Sequence, residues 1–131
     1  MRTRLFAAAL ASVLFVAFAV PAASFAADQK VMSVIGVKVT GDRQAYLLKL
    51  KALQAIQKRL GVAPTRVWRA TLAGSGTDLV YIVGEHASLA AYAESTGKLN
   101  ADPEASKLLS ELEASGVRTV VDRSLFVDET P

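Results

Sequence analysis

The sequence predicts an α+β fold of the ferredoxin-like type, a βαββαβ sandwich whose antiparallel sheet carries its helices on one face. Three observations predict it. Four β-rich runs and two helical stretches follow one another in that order within about a hundred residues. The second and third runs flank Gly74-Ser75-Gly76, a short glycine-bearing loop of the kind that closes a hairpin. Leucines recur at three- and four-residue spacing on either side of that hairpin, the period of helices laid on a sheet by one stripe.

A leader precedes the first run. Arg2 and Arg4 form a basic start, Leu5 to Val20 carry no charge, and Pro21 breaks the apolar run. Ser24 and Ala26 then supply small residues at the spacing that signal peptidase reads. The expectation is a cleavable signal peptide over residues 1–26 and one domain over 27–131, in the periplasm or outside the cell. An uncleaved anchor would be slightly longer and would not need the small-residue exit. With no cysteine anywhere, a lipoprotein anchor is excluded, and the arginines are not adjacent as the twin-arginine route requires.

Removing the leader changes the charge. Of 15 basic residues, Arg2 and Arg4 depart, so 13 face 12 acidic ones, and the mature part is close to neutral. No run of five like charges occurs. The footprint expected for nucleic acid is therefore missing, and no membrane contact is expected once the leader is gone. A domain of this size without disulfides depends on its core or on a subunit interface.

Val31 to Thr40 is nearly continuous in apolar character, as a strand buried on both faces would be. Gly41 ends it, and Asp42 is placed to cap a helix in which Leu47, Leu50, Leu53, Ile56 and Leu60 form the buried stripe. Gly61 closes that helix. Arg66 to Ala73 and Thr77 to Glu85 read as the hairpin strands. Ser88 caps a second helical region over Leu89 to Lys98, interrupted at Gly97 and restarted by Asp102-Pro103-Glu104: a capping Asp, a proline at the first helical position and an acidic first turn. Leu108, Leu109 and Leu112 give this piece its buried face, and Gly116 ends it. Val117 to Val127 is the last strand, and Asp128 to Pro131 reads as a frayed tail.

One sheet face must be left over by two helices. Both alternations of the first and third strands are apolar: Ile35, Val37 and Val39 against Met32 and Val34, then Leu79, Tyr81 and Val83 against Val80 and Ile82. A second apolar face on an open sheet is too large a patch for a soluble monomer, so pairing of that face is the natural solution. If Trp68, Ala70 and Leu72 face the helices, then Val67, Arg69 and Thr71 face the partner, and a one-residue bulge would reverse this.

Candidate chemistry is sparse. His86 is the single histidine, beside Glu85 at a strand end. An acidic neighbour would raise its pKa and suit it as base or ligand, but adjacent strand residues point to opposite faces, which favours a solvated strand-end histidine. Trp68 and Tyr81 read either as an aromatic pocket or, in preference, as core. Arg69 and Arg123 interrupt runs that otherwise read as buried; each is an exposed strand-edge residue or needs Glu85, Asp122 or an anionic ligand as partner. One histidine and no cysteine give no metal site, and no cofactor motif is present. Gly74-Ser75-Gly76 lacks the Lys-Ser/Thr of a phosphate loop, Ser95-Thr96-Gly97-Lys98 lacks its first glycine, and there is no Gly-x-Ser-x-Gly elbow.

Arg66-Val67-Trp68-Arg69-Ala70-Thr71-Leu72-Ala73-Gly74, Val80-Tyr81-Ile82-Val83-Gly84-Glu85, Ser88-Leu89-Ala90-Ala91-Tyr92 and Asp102-Pro103-Glu104 stand in an order that resembles the dimeric α/β-barrel superfamily, which includes antibiotic-biosynthesis-monooxygenase-like and stress-responsive barrel domains. The resemblance spans essentially all of 27–131 and is architectural. It implies a homodimer of two protomers with sheets face to face and a pocket in each half. It also implies either a binding module for a small apolar or weakly anionic ligand, or a cofactor-independent oxygenase acting on an aromatic, quinol-like molecule. The haem-degrading branch carries an asparagine on its first strand, and none lies in Val31 to Thr40, which argues against haem breakdown.

Overall fold

The first described strand, β1 (Val31–Val39), leads into helix α1 (Arg43–Arg59), then β2 (Arg66–Arg69), β3 (Val80–His86), helices α2 (Leu89–Ala101) and α3 (Pro103–Ser115), and β4 (Arg118–Val127). The computed structural model describes residues 28–130; the expected leader and its cleavage point lie outside them. The four strands form one antiparallel sheet in the order β2-β3-β1-β4, and this is the ferredoxin-like α+β fold. No helix among the described residues is long and apolar enough to cross a membrane.

Each helix starts where a side-chain acceptor relieves its unpaired amides. Asp42 Oδ1 accepts from Gln44 N at 2.8 Å and Ala45 N at 3.2 Å, and Ser88 Oγ accepts from Ala91 N at 3.1 Å. Gly116, at φ +63°, ends α3 in the left-handed conformation that glycine adopts at least cost. Gly97 does not interrupt α2, which runs on to Ala101; the break falls at Asp102-Pro103, where the proline cannot continue the amide ladder of the preceding turn. Asp102 serves both helices. It ends α2, and its carboxylate takes Ala105 N at 2.9 Å while Arg59 Nη2 donates to its two oxygens at 2.9 and 3.1 Å. The end of α1 is thereby fastened to the α2–α3 corner. These hydrogen bonds, the Ala105 amide first, hold the Asp102 carboxyl below its ordinary pKa.

The core lies between the sheet and the helices. Val37, Val80 and Ile82 from the sheet meet Leu50, Leu53 and Ile56 of α1 and Leu108, Leu109 and Leu112 of α3. The α1 stripe differs from expectation at its start: Tyr46 is fully buried and Leu47 largely exposed. Buried Gln57 is satisfied by the loop after α1, its Oε1 accepting from Thr65 N at 3.0 Å.

The hairpin is shorter in strand than expected. β2 stops at Arg69 and β3 starts at Val80, with a single 3-10 turn at Gly74–Gly76 in the loop. That loop is closed by backbone bonds from Ala70 N to Leu79 O (3.0 Å) and from Asp78 N to Ala70 O (2.8 Å). The facing of β2 is also reversed. Val67 lies opposite Ile82 and packs against the core, whereas Trp68 lies opposite Tyr81 on the other face. The reason is register: β3 buries Val80 and Ile82, and a directly opposite residue must share their face. On β4, a bulge opposite Gly36/Val37 leaves Val121 without a cross-strand partner.

Candidate ligand-binding site

Alternation along the strands builds the face that no helix among the described residues covers. It carries Met32 and Val34 of β1, Trp68 of β2, Tyr81 and Val83 of β3, and Phe126 of β4. Trp68 is 58% exposed, Phe126 51% and Met32 37%. Trp68 therefore does not join the core, against the preferred reading of the sequence. Tyr81 also lies on the open face, half-buried, its ring filling the space above Gly36: a β-carbon there would stand 3.2 Å from Tyr81 Cε1.

At the end of this face where β1 begins and β3 and β4 finish, a cleft of about 500 Å³ opens. Its walls are mainly apolar, from Val31, Met32, Ala87, Phe126 and Val127, and its polar groups are Lys30, Glu85, His86 and Asp128. Met32, Glu85 and Phe126 belong to both cleft and open face, so the two regions are continuous. The chain end here is fastened rather than frayed: Asp128 N donates to Lys30 O at 2.9 Å, and the Asp128 carboxylate accepts from Thr130 N at 3.0 Å.

His86 is the one imidazole in the cleft. It lies opposite Val31 on the helix-side row, and Glu85 lies opposite Met32 on the open row, so the two neighbours diverge. It is not a solvated strand end. The ring is half-buried, its Nε2 lies 3.4 Å from Ser33 Oγ, and Tyr92 of α2 meets it edge-on with centroids 5.1 Å apart. Gly84 makes room for this pair, since a β-carbon there would fall 2.7 Å from Ser33 Oγ and 3.0 Å from His86 Nε2. Burial lowers the His86 pKa below its usual value. An acidic neighbour does not raise it, because Glu85 points away and is held by Arg66 at 3.6 Å. The result is a neutral imidazole at neutral pH, able to accept a proton or a hydrogen bond.

The six residues singled out in the sequence do not converge. Glu85 and His86 line the cleft, and Trp68 and Tyr81 pair on the open face. Arg69 lies opposite Val80 on the helix-side row, exposed at the sheet edge, with Nε 3.9 Å from Asp78 Oδ1. Arg123 lies opposite Ile35 on that same row, and its neighbour Asp122 accepts from Ser124 Oγ at 3.0 Å. Neither arginine belongs to the partner-facing layer. Lys30, Ser33, Tyr92 and Asp128 were not singled out in the sequence. The apolar alternation of β1 does mark Met32, but only the Val31–His86 register brings the others together. Among the described residues, no three His, Cys, Asp or Glu side chains are grouped to hold a metal ion.

The fold is similar to that of a NIPSNAP family protein from Agrobacterium tumefaciens strain C58, known from a crystal structure. The two share 17% identity with a TM-score of 0.56, over 78% of this chain and 93% of that one. At that identity the likeness concerns the fold. No protein-family model and no curated protein matches the sequence. The class that fold and site define is thus a small ferredoxin-like α+β protein in which the described helices cover one face of the sheet.

Proposed function

We propose that this chain is an exported member of the dimeric α/β-barrel superfamily, and that its role is to hold a small, mainly apolar molecule between the open sheets of two copies. The observation that carries the reading is the open face itself. Trp68, Tyr81, Met32, Val34, Val83 and Phe126 share this face with Arg66, Glu85, Asp122 and Ser124, on a chain whose core lies on the other side of the sheet. Trp68 and Phe126 are each about half exposed, and soluble monomers rarely leave large contiguous apolar patches uncovered. Two such faces brought together would enclose a chamber lined by Trp68 and Tyr81, with the His86 cleft at its end. The cleft supplies the few polar groups that orient a ligand in such a pocket. With Arg69 and Arg123 on the other row, a weakly anionic group would meet Lys30 instead.

A second reading rests on His86. A neutral, half-buried imidazole on the helix-side row, in a cleft shared with Met32 and Phe126 of the open face, is suited to take a proton from an aromatic, quinol-like substrate that reaches the cleft, as a cofactor-independent monooxygenase-like enzyme would require. Native mass spectrometry of the mature protein, prepared from its own host, tests both. A dimer carrying a defined extra mass is the expected result. A bare dimer with turnover of an aromatic substrate that is lost in His86→Gln would favour the enzyme. A bare monomer would refute the barrel.

A further inference from the structure

A second concavity, of about 620 Å³, shares Glu85 with the His86 cleft and lies between the outer face of α1 and the loop that leads into β2. Lys51, Gln54 and Lys58 of α1 form one wall, and Pro64, Thr65 and Arg66 form the other. The walls are fixed with respect to each other. Gln54 Nε2 donates to Thr65 O at 2.6 Å, and Gln57 Oε1, buried behind, accepts from Thr65 N and Oγ1. A ligand would therefore meet a preformed surface.

Several cations elsewhere on the helices are held by carboxylates. Lys49 is paired with Glu111, Lys98 with Glu94, and Arg59 with Asp102 and Glu104. Lys51 and Lys58 have no such carboxylate within 4.0 Å among the described residues. They are seven residues apart, two turns along one face of α1 and about 10 Å of helix. Arg66 closes the groove as a third cation. Glu85 is the one carboxylate among the lining residues, and it already holds Arg66 at 3.6 Å. The groove therefore carries a net positive charge, with Ala55, Ala63, Pro64 and Val83 as apolar lining between its cations.

We infer that this groove binds a small organic polyanion, a molecule with two or more carboxylate or phosphate groups spaced to reach Lys51 and Lys58 with Arg66 between the walls. Two lysines supply point charges and Arg66 a planar fork, the complementary ways in which proteins hold such groups. The concavity fits a small molecule better than a flat membrane or an extended nucleic acid. Its α1 wall lies outside the open face, while Arg66, Val83 and Glu85 belong to the open row, so the groove reaches the edge of that face.

The test is a titration of the ¹⁵N-labelled protein with citrate and with inorganic pyrophosphate, against sodium chloride at matched ionic strength. Saturable shifts are expected at the amides of Lys51, Gln54, Lys58, Thr65 and Arg66, from one or both polyanions and not from chloride. Preference for citrate or pyrophosphate identifies which anionic group the groove takes. The double substitution Lys51→Gln/Lys58→Gln, at exposed sites, should weaken binding by about tenfold or more, the usual consequence of losing charged hydrogen-bond donors. Shifts spread evenly over exposed lysines such as Lys38 and Lys107, shifts unchanged in the double variant, or no saturable shift at all would each overturn the inference.

Discussion

The two faces of the sheet are made by alternate residues of the same strands, yet they meet different fates. On one face Val37, Val80 and Ile82 are sealed under α1 and α3. On the other, Trp68 and Phe126, side chains larger than these, are half or more exposed, and Met32 is partly exposed. Apolar content alone therefore does not decide burial within a chain. What decides it is whether another layer is available, and the helices among the described residues cover one face only. The covered face holds the core of the protomer, and the open face is the one proposed to meet a second copy.

The largest difference between the faces should appear on truncation. Leu50→Ala removes a buried side chain of α1 and leaves a cavity, so a loss of about 2–5 kcal/mol is expected in urea unfolding. Trp68→Ser and Phe126→Ser together should change the stability of the isolated protomer by only about 0.5 kcal/mol, while abolishing the dimer in light scattering. If the aromatic pair proved as costly to the protomer as Leu50, the division of labour between the faces would be wrong.

The next effect concerns how the covering layer is attached. Asp102 joins Arg59 to the α2–α3 corner and caps α3. Because its folded pKa is depressed, its contribution is fully present above the unfolded value, roughly pH 4, and is lost as pH falls through the lower folded value. Asp102→Ala should lower the melting temperature at pH 7 by several degrees, on the order of 5 °C. The isosteric Asp102→Asn should make the acid limb of the stability curve shallower. An acid limb identical to that of the parent protein would remove Asp102 from this account.

A smaller effect belongs to the junction between the faces. The His86 pKa is also depressed, here by burial, so the folded state favours the neutral ring. Stability from this site is present above the unfolded value near pH 6.5 and declines as pH falls through it towards the folded value. A slight fall in melting temperature between pH 7.5 and 5.5, flattened in His86→Gln, is expected. The smallest effect is at Arg69. Exposed and loosely paired with Asp78 at 3.9 Å, it should alter neither dimer nor retained ligand when replaced by alanine, as native mass spectra would show.

Much of this architecture is legible in the sequence because it is set locally. Asp42, Ser88 and Asp102 cap helices at the positions their spacing indicates, and Gly116 ends α3 as its place after the leucine stripe implies. Where sequence reasoning fails, pairing decides. The phase of β2 follows from its register with β3, which placed Val67 rather than Trp68 against the core. Four residues alternate too briefly to reveal that phase. Gly97 reads as a break, yet a single glycine costs a helix only about 1 kcal/mol, and α2 continues through it. The cleft was the least legible feature. Val31 and His86 are far apart in the chain, and Ser33, Tyr92 and Asp128 carry no local signal of the company they keep.

The most direct test of the central claim is sedimentation velocity of the unmodified mature protein over a wide concentration range, repeated with Trp68→Ser/Phe126→Ser. The account predicts a dimer for the parent protein and a folded monomer for the variant. A parent protein that stays monomeric at every concentration, or a variant that dimerises as the parent does, would contradict the assignment of the open face to a second copy.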